Sequence, residues 1–171
     1  CFIKRHKLFI KVIYNMNIFH IFVSASPFLT STLSNFNNTS EFKDTDKKSL
    51  WQPPSFVFGI VWPILYALLF YLTYTILSSK TNNCLKNSLI RTTLLESALQ
   101  GLWLYTFNSN RGKNKYDSSL LVMTTLVVLS FLRLVFFYTY FNDLYYFYIP
   151  YFLWINFAHI LNWQLYLNIV K

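Results

Sequence analysis

The stretch from Pro53 to Ser78 reads PPSFVFGIVWPILYALLFYLTYTILS and contains no charged residue. A helix of about 20 apolar residues, rising about 1.5 Å per residue, is long enough to cross the roughly 30 Å hydrocarbon layer of a bilayer. The two prolines at its start suit the first turn of a helix, where their missing N–H groups would have no partner. The stretch therefore predicts a transmembrane helix.

Four further segments have the same character to differing degrees. Residues 147–170 are uncharged up to the final lysine, residues 118–140 carry one arginine, and residues 87–107 carry Arg91 and Glu96. The weakest segment is the first, which holds one lysine and several polar side chains. We therefore predict an all-α membrane protein, a five transmembrane helix bundle that forms a single domain over residues 1–171. Its predicted spans are 8–34, 53–78, 87–107, 118–140 and 147–170.

The composition of the chain agrees with lipid as its main partner. Of 171 residues, 54% are hydrophobic, 21% aromatic and only 12% charged, against about 25% charged in an average soluble domain. The net charge is +9, but the basic residues lie mainly in polar connections between apolar segments, as in membrane loops. We therefore expect no nucleic-acid partner.

The N-terminal segment allows several interpretations. The protein could start at Met16 or upstream of it, and a signal peptide could be cleaved at Val23-Ser24-Ala25.

The sequence shows no motif of a common enzyme class. A Ser-His-Asp arrangement, HExxH, GxSxG and the P-loop are absent, and the two cysteines form no metal-binding pattern. Glu96 is the only acidic residue inside a predicted span. Because a charge in lipid usually needs an opposite charge, we expect Glu96 to pair with Arg133. We expect a protein without catalytic residues, a metal or an obligate cofactor.

Tryptophans inside the spans are more informative. Helical spacing places Trp62 with Tyr66, Trp103 with Gln100, and Trp154 with Ala158, so that three helices each carry a large aromatic ring beside small, polar or aromatic groups. Two interpretations remain open: interior packing, or an intramembrane pocket with aromatic walls and a few polar anchors, suited to a flat apolar ligand.

The start of the second span has a distinctive set of residues: Lys48, Trp51, Pro53, Pro54, Phe58, Trp62, Leu65 and Tyr66. This set resembles the signature of the TspO family, also called the translocator protein, peripheral benzodiazepine receptor or tryptophan-rich sensory protein family. That signature is a Lys-Pro-x-Trp-x-Pro-Pro sequence followed by an apolar stretch with Trp and then Leu-Tyr. Ser49 replaces its first proline.

Two later blocks resemble the same family in the same order. The third-helix pattern Asn-x-x-Trp-x-x-x-Phe-x-x-x-Arg is similar to Gln100, Trp103, Phe107 and Arg111, with Gln100 in place of Asn. The fifth-helix pattern Pro-Tyr-Leu-x-Trp-x-x-Phe-Ala-x-x-Leu-Asn is similar to residues 150–162, with Phe152 in place of the first Leu. The matching residues of this block are Pro150, Tyr151, Trp154, Phe157, Ala158, Leu161 and Asn162.

The resemblance implies a function in ligand binding. Family members bind porphyrins, and in animals cholesterol, in a cavity among five helices that the first loop covers. It thus implies a porphyrin (haem or protoporphyrin) or sterol ligand and a role in transport, sensing or regulation. Alternatives are a photo-oxidative porphyrin-degrading enzyme and a scaffold with a vestigial pocket. The implied ligand-binding residues are Trp51, Pro53, Pro54, Trp62, Tyr66, Gln100, Trp103, Trp154, Phe157, Ala158, Leu161 and Asn162.

The resemblance also bears on assembly and location. The family's glycine pair in the third helix, linked with dimer contacts, falls on Arg91 and Leu95 here. Ser97 and Gly101 form another small-residue pair that would allow a homodimer. The family implies a multi-pass integral membrane protein, with the mitochondrial outer membrane favoured and a secretory-pathway membrane as the alternative.

Overall fold

The computed structural model of the protein describes residues 17–35, 53–108 and 114–170. Within these ranges it contains five long α-helices, a short 3-10 helix at Tyr145–Phe147 and no strand, which confirms the predicted all-α bundle. Residues 8–16 of the first predicted span lie outside the described ranges, and where the bilayer begins and ends on each helix stays a prediction. The helices are α1 (Ile18–Asn35), α2 (Ser55–Ser78), α3 (Asn83–Asn108), α4 (Asn114–Tyr140) and α5 (Ile149–Val170).

Local side-chain chemistry sets several helix ends. Asn17 and Asn82 each precede a helix, and their side-chain oxygens accept the backbone N–H two residues ahead, at 3.0 and 2.8 Å. An asparagine in this position satisfies one of the four N–H groups that the first turn leaves free. At the end of α2, the hydroxyl and the backbone N–H of Ser79 both donate to the carbonyl of Ile76. The contacts of Ser79 and Asn82 stabilise the short connection between α2 and α3.

The helices do not pack equally closely. α3 packs along α1 on one side and α4 on the other, α5 packs along α4, and α2 packs along α1. The backbone of α2 approaches α3 and α5 at only a few positions. The contacts of α2 with α3 and α5 therefore depend on large side chains that reach across, and not on close packing of the helix backbones.

The outer faces of the bundle are apolar. Ile60 and Ile64 on α2 and Phe131 and Leu132 on α4 are exposed. Among the described residues, two stretches are long and apolar enough to cross a membrane, Phe56–Ser78 and Asp117–Tyr140. Polar side chains of α1 and α3, such as Ser26 and Gln100, lie in the interior of the bundle.

A seam of small polar residues joins α1 to α3. The hydroxyls of Ser26 and Ser97 lie 2.8 Å apart and form a buried hydrogen bond. Ser24, two residues before Ser26 on α1, is also buried. Small residues at such a contact let two helices approach closely. Ser97 therefore faces α1 of its own chain, so the pair of Ser97 and Gly101 gives no support to a homodimer, which stays a prediction.

Replacing Ser97 by leucine is expected to destabilise the bundle by about 1–3 kcal/mol, because the larger side chain overfills the seam and removes the hydrogen bond to Ser26. Unfolding in detergent by a graded denaturant measures this loss. Ala98 is the next residue on the same helix and is exposed, so Ala98→Leu is the matched control and should change the stability by about 0.5 kcal/mol or less. Equal effects of the two substitutions would contradict the conclusion that Ser97 lies at a close contact between α1 and α3.

Candidate functional site

Trp62 of α2 lies at the centre of a group of aromatic rings contributed by three helices. Its ring centroid is 5.4 Å from that of Tyr66, 6.1 Å from that of Trp103 on α3, and 6.4 Å from that of Trp154 on α5. These separations fall within the roughly 4.5–7 Å range of favourable aromatic pairs. The α2 backbone rarely approaches α3 or α5, so these rings provide contacts between α2 and the other two helices.

Four phenylalanines extend this group. Phe58 lies 5.7 Å and Phe157 5.4 Å from Trp154, Phe107 lies 5.6 Å from Trp103, and Phe28 of α1 lies 5.3 Å from Tyr66, measured between ring centroids. We call the eight residues the aromatic cluster: Phe28, Phe58, Trp62, Tyr66, Trp103, Phe107, Trp154 and Phe157.

Buried polar atoms without partners among the described residues occur on two members of the aromatic cluster and on one residue a helical turn away. The indole N–H groups of Trp103 and Trp154 are buried and have no hydrogen-bond partner among the described residues, and neither does Oε1 of Gln100, one turn before Trp103. A buried polar atom left unpaired costs about 1–3 kcal/mol. Apolar walls with a few polar groups are the usual lining of a small-molecule site.

The predicted pair of Glu96 and Arg133 is confirmed. The two side chains, 2% and 3% exposed, form an ion pair between α3 and α4. The Tyr148 hydroxyl donates to the Glu96 carboxylate at 2.6 Å, and the guanidinium donates to Thr93 Oγ1 at 3.1 Å. The guanidinium also lies 5.3 Å from the ring centroids of both Phe137 and Tyr148. Two buried charges are thereby matched inside the bundle, as intramembrane charges require.

The sequence model of the TspO/MBR family matches residues 19–167, which include most of all five helices. The chain belongs to the TspO/MBR family. The resemblance carried by the three motif blocks is therefore confirmed, and the chain is an integral membrane protein of that family. No curated protein matches the chain in a direct sequence comparison.

The structure brings five of the predicted ligand-binding residues of this family member into the aromatic cluster: Trp62, Tyr66, Trp103, Trp154 and Phe157. Gln100 and Ala158 are buried about one turn from Trp103 and Trp154 on their helices. Their role in ligand binding stays a prediction.

The remaining predicted residues that the structure describes are Pro53, Pro54, Leu161 and Asn162. Pro53 is partly buried and Pro54 is exposed at the start of α2, and Trp51 lies outside the described residues. Leu161 is buried, while the Asn162 side-chain oxygen accepts a hydrogen bond from Ser119 of α4 at 3.3 Å. The side-chain oxygen of Asn162 therefore links α5 to α4 and is not directed to the aromatic cluster.

Sequence reasoning missed two residues of the interior. Phe28 packs on Tyr66, but α1 offered no motif that would have selected it. Tyr148 contacts the ion pair, and a signal for it was present: Tyr148, Tyr151 and Trp154 follow one another at three-residue spacing, which places them on one side of a helix.

Proposed function

We propose that the chain binds a porphyrin or sterol-like ligand at the aromatic cluster, in a transport, sensing or regulatory role and not as an enzyme. The observation that carries the proposal is the meeting of Trp62, Trp103 and Trp154 from three different helices. Indole faces are large, flat and apolar, and they stack favourably on a flat ring system. The family membership of the chain supports the same kind of ligand.

The polar atoms of the site fit a ligand with oxygen at its edge. The unpaired indole N–H groups of Trp103 and Trp154 are donors, so they suit a hydroxyl, carbonyl or carboxylate oxygen. Haem or protoporphyrin enters this proposal as a ligand that comes and goes, and no obligate cofactor is part of it. The proposed location is the mitochondrial outer membrane, with a secretory-pathway membrane as the alternative.

Titration with protoporphyrin tests the proposal. In detergent micelles, tryptophan fluorescence is expected to fall saturably with a Kd in the micromolar range or below, because the porphyrin would lie against several indole rings. The denatured protein at the same tryptophan concentration is the control for absorption by the porphyrin. A quenching curve that is linear and equal for both samples would overturn porphyrin binding.

The same sample separates a binder from an enzyme. Under illumination, the Soret band of the bound porphyrin is expected to fade no faster than that of porphyrin in empty micelles. Protein-dependent loss of the band would replace the binding role with photo-oxidative breakdown.

A further inference from the structure

The boundary between α2 and α5 is loosely packed. α2 packs along α1 and α5 packs along α4, but the backbones of α2 and α5 approach each other at only a few positions. Ring contacts bridge the boundary: Phe58 and Trp62 of α2 lie 5.7 and 6.4 Å from Trp154 of α5, measured between ring centroids. A segment with few backbone contacts opens locally at a lower cost than a closely packed one.

The rings at this boundary cover a buried part of the aromatic cluster. Phe58, Trp62 and Trp154 are each only partly buried, whereas Tyr66 is 3% and Trp103 7% exposed. The indole N–H of Trp103 has no hydrogen-bond partner among the described residues. A ligand that enters between α2 and α5 therefore meets the partly exposed rings first and the free indole N–H of Trp103 last.

The outer surface of the two helices suits a ligand that is dissolved in lipid. Ile60 and Ile64 on α2 and Leu153 and Ile160 on α5 are exposed. Neither helix contains a lysine, arginine, aspartate or glutamate. A flat apolar ligand that moves inward from the bilayer is therefore not required to pass a charged side chain of either helix.

α2 contains a weak point beside its contacts with Trp154. Pro63 directly follows Trp62 inside the helix. Because proline has no N–H, the carbonyl of Gly59, four residues earlier, lacks its helical hydrogen bond, and bends in helices occur mainly at such prolines. Gly59 adds backbone freedom, and a Cβ placed there would meet no atom within 4 Å. The first two turns of α2, residues 55–62, are therefore joined to the rest of the helix by a segment that bends easily.

We propose that the ligand enters from the lipid between α2 and α5, through a portal that opens when residues 55–62 bend outward at Gly59 and Pro63. The inference rests on the proposed function. Bending moves the ring of Trp62 away from Trp154 and opens a path to Trp103. The rings close again behind the bound ligand, so the portal controls how fast the ligand enters and leaves but not how tightly it binds.

A stiffer α2 tests the portal. The double variant Gly59→Ala with Pro63→Ala restores the missing backbone hydrogen bond, and alanine at position 59 fits without a new contact. With the protein in lipid nanodiscs, the rate of tryptophan quenching by added protoporphyrin gives association, and transfer of bound porphyrin to excess empty vesicles gives dissociation. Both rate constants are expected to fall about tenfold, because the regained hydrogen bond and the stiffer backbone disfavour the open form. The Kd, as the ratio of the two rate constants, should stay within about twofold of the wild-type value.

Pro150→Ala is the matched control. Pro150 is an exposed proline on the other helix of the portal, but it lies in the first turn of α5. A missing N–H leaves no helical hydrogen bond unmade there, so both rate constants should stay within about twofold of the wild-type values.

Three results would overturn the portal while porphyrin binding stands: unchanged rate constants in the α2 double variant, equal slowing in the double variant and in Pro150→Ala, or weaker equilibrium binding without slower association. Absence of saturable quenching in the wild-type protein would instead refute the proposed porphyrin function.

Discussion

Replacing Arg133 by methionine is expected to destabilise the bundle by about 3–5 kcal/mol, the largest effect on stability that we predict. The substitution leaves the Glu96 carboxylate buried without its countercharge. The hydroxyl of Tyr148 remains within 2.6 Å, but a single neutral donor does not replace a guanidinium. Denaturant unfolding in detergent micelles, followed by circular dichroism, measures the change.

The double variant Glu96→Met with Arg133→Met separates loss of an ion pair from creation of an unpaired charge. Both charges are then absent, and much of the lost stability is expected to return, because two apolar side chains of similar size replace a desolvated pair. Arg91→Met is the control: Arg91 is exposed on α3, so it should change the stability by about 0.5 kcal/mol or less. A double variant as unstable as the single one would show that packing, and not charge pairing, determines the stability here.

The largest effect on binding is expected for Trp62→Ala, which should weaken protoporphyrin affinity about 100-fold. Trp62 contacts Tyr66, Trp103 and Trp154, so its removal takes away one flat face and the support of the other two indoles. Burial of a large aromatic side chain contributes about 1.5–3 kcal/mol and a ring contact about 0.5–1.5 kcal/mol more. Porphyrin absorbance titration gives the affinity without relying on the fluorescence of the residue removed.

Trp163→Ala is the control for this experiment. Trp163 also lies on α5, but it is 48% exposed and packs on Tyr166 outside the aromatic cluster. Its removal should leave the protoporphyrin affinity within about twofold of the wild-type value, since an exposed side chain away from the site contributes little. Similar losses from Trp62→Ala and Trp163→Ala would mean that the porphyrin binds to the micelle or the surface, and not at the aromatic cluster.

The sequence was sufficient for the fold class because the signals are local. The uncharged stretch 53–78 and the aromatic, charge-poor composition required a solvent other than water, and each apolar segment could be read without knowing its neighbours. The pairing of Glu96 with Arg133 was also accessible, since a charge in an apolar segment needs an opposite charge. The motif blocks selected Trp62, Trp103 and Trp154 one helix at a time.

The sequence determined which side of each helix carries the informative residues, but only the tertiary structure decided which sides meet. It placed Trp103 and Trp154 against Trp62, turned Ser97 toward Ser26 of the same chain, and directed Asn162 to Ser119. It also paired Gln100 with Tyr151 and Glu96 with Tyr148. Helical periodicity is a property of a single segment, whereas these contacts depend on the rotation and order of several helices, which packing of the whole bundle sets.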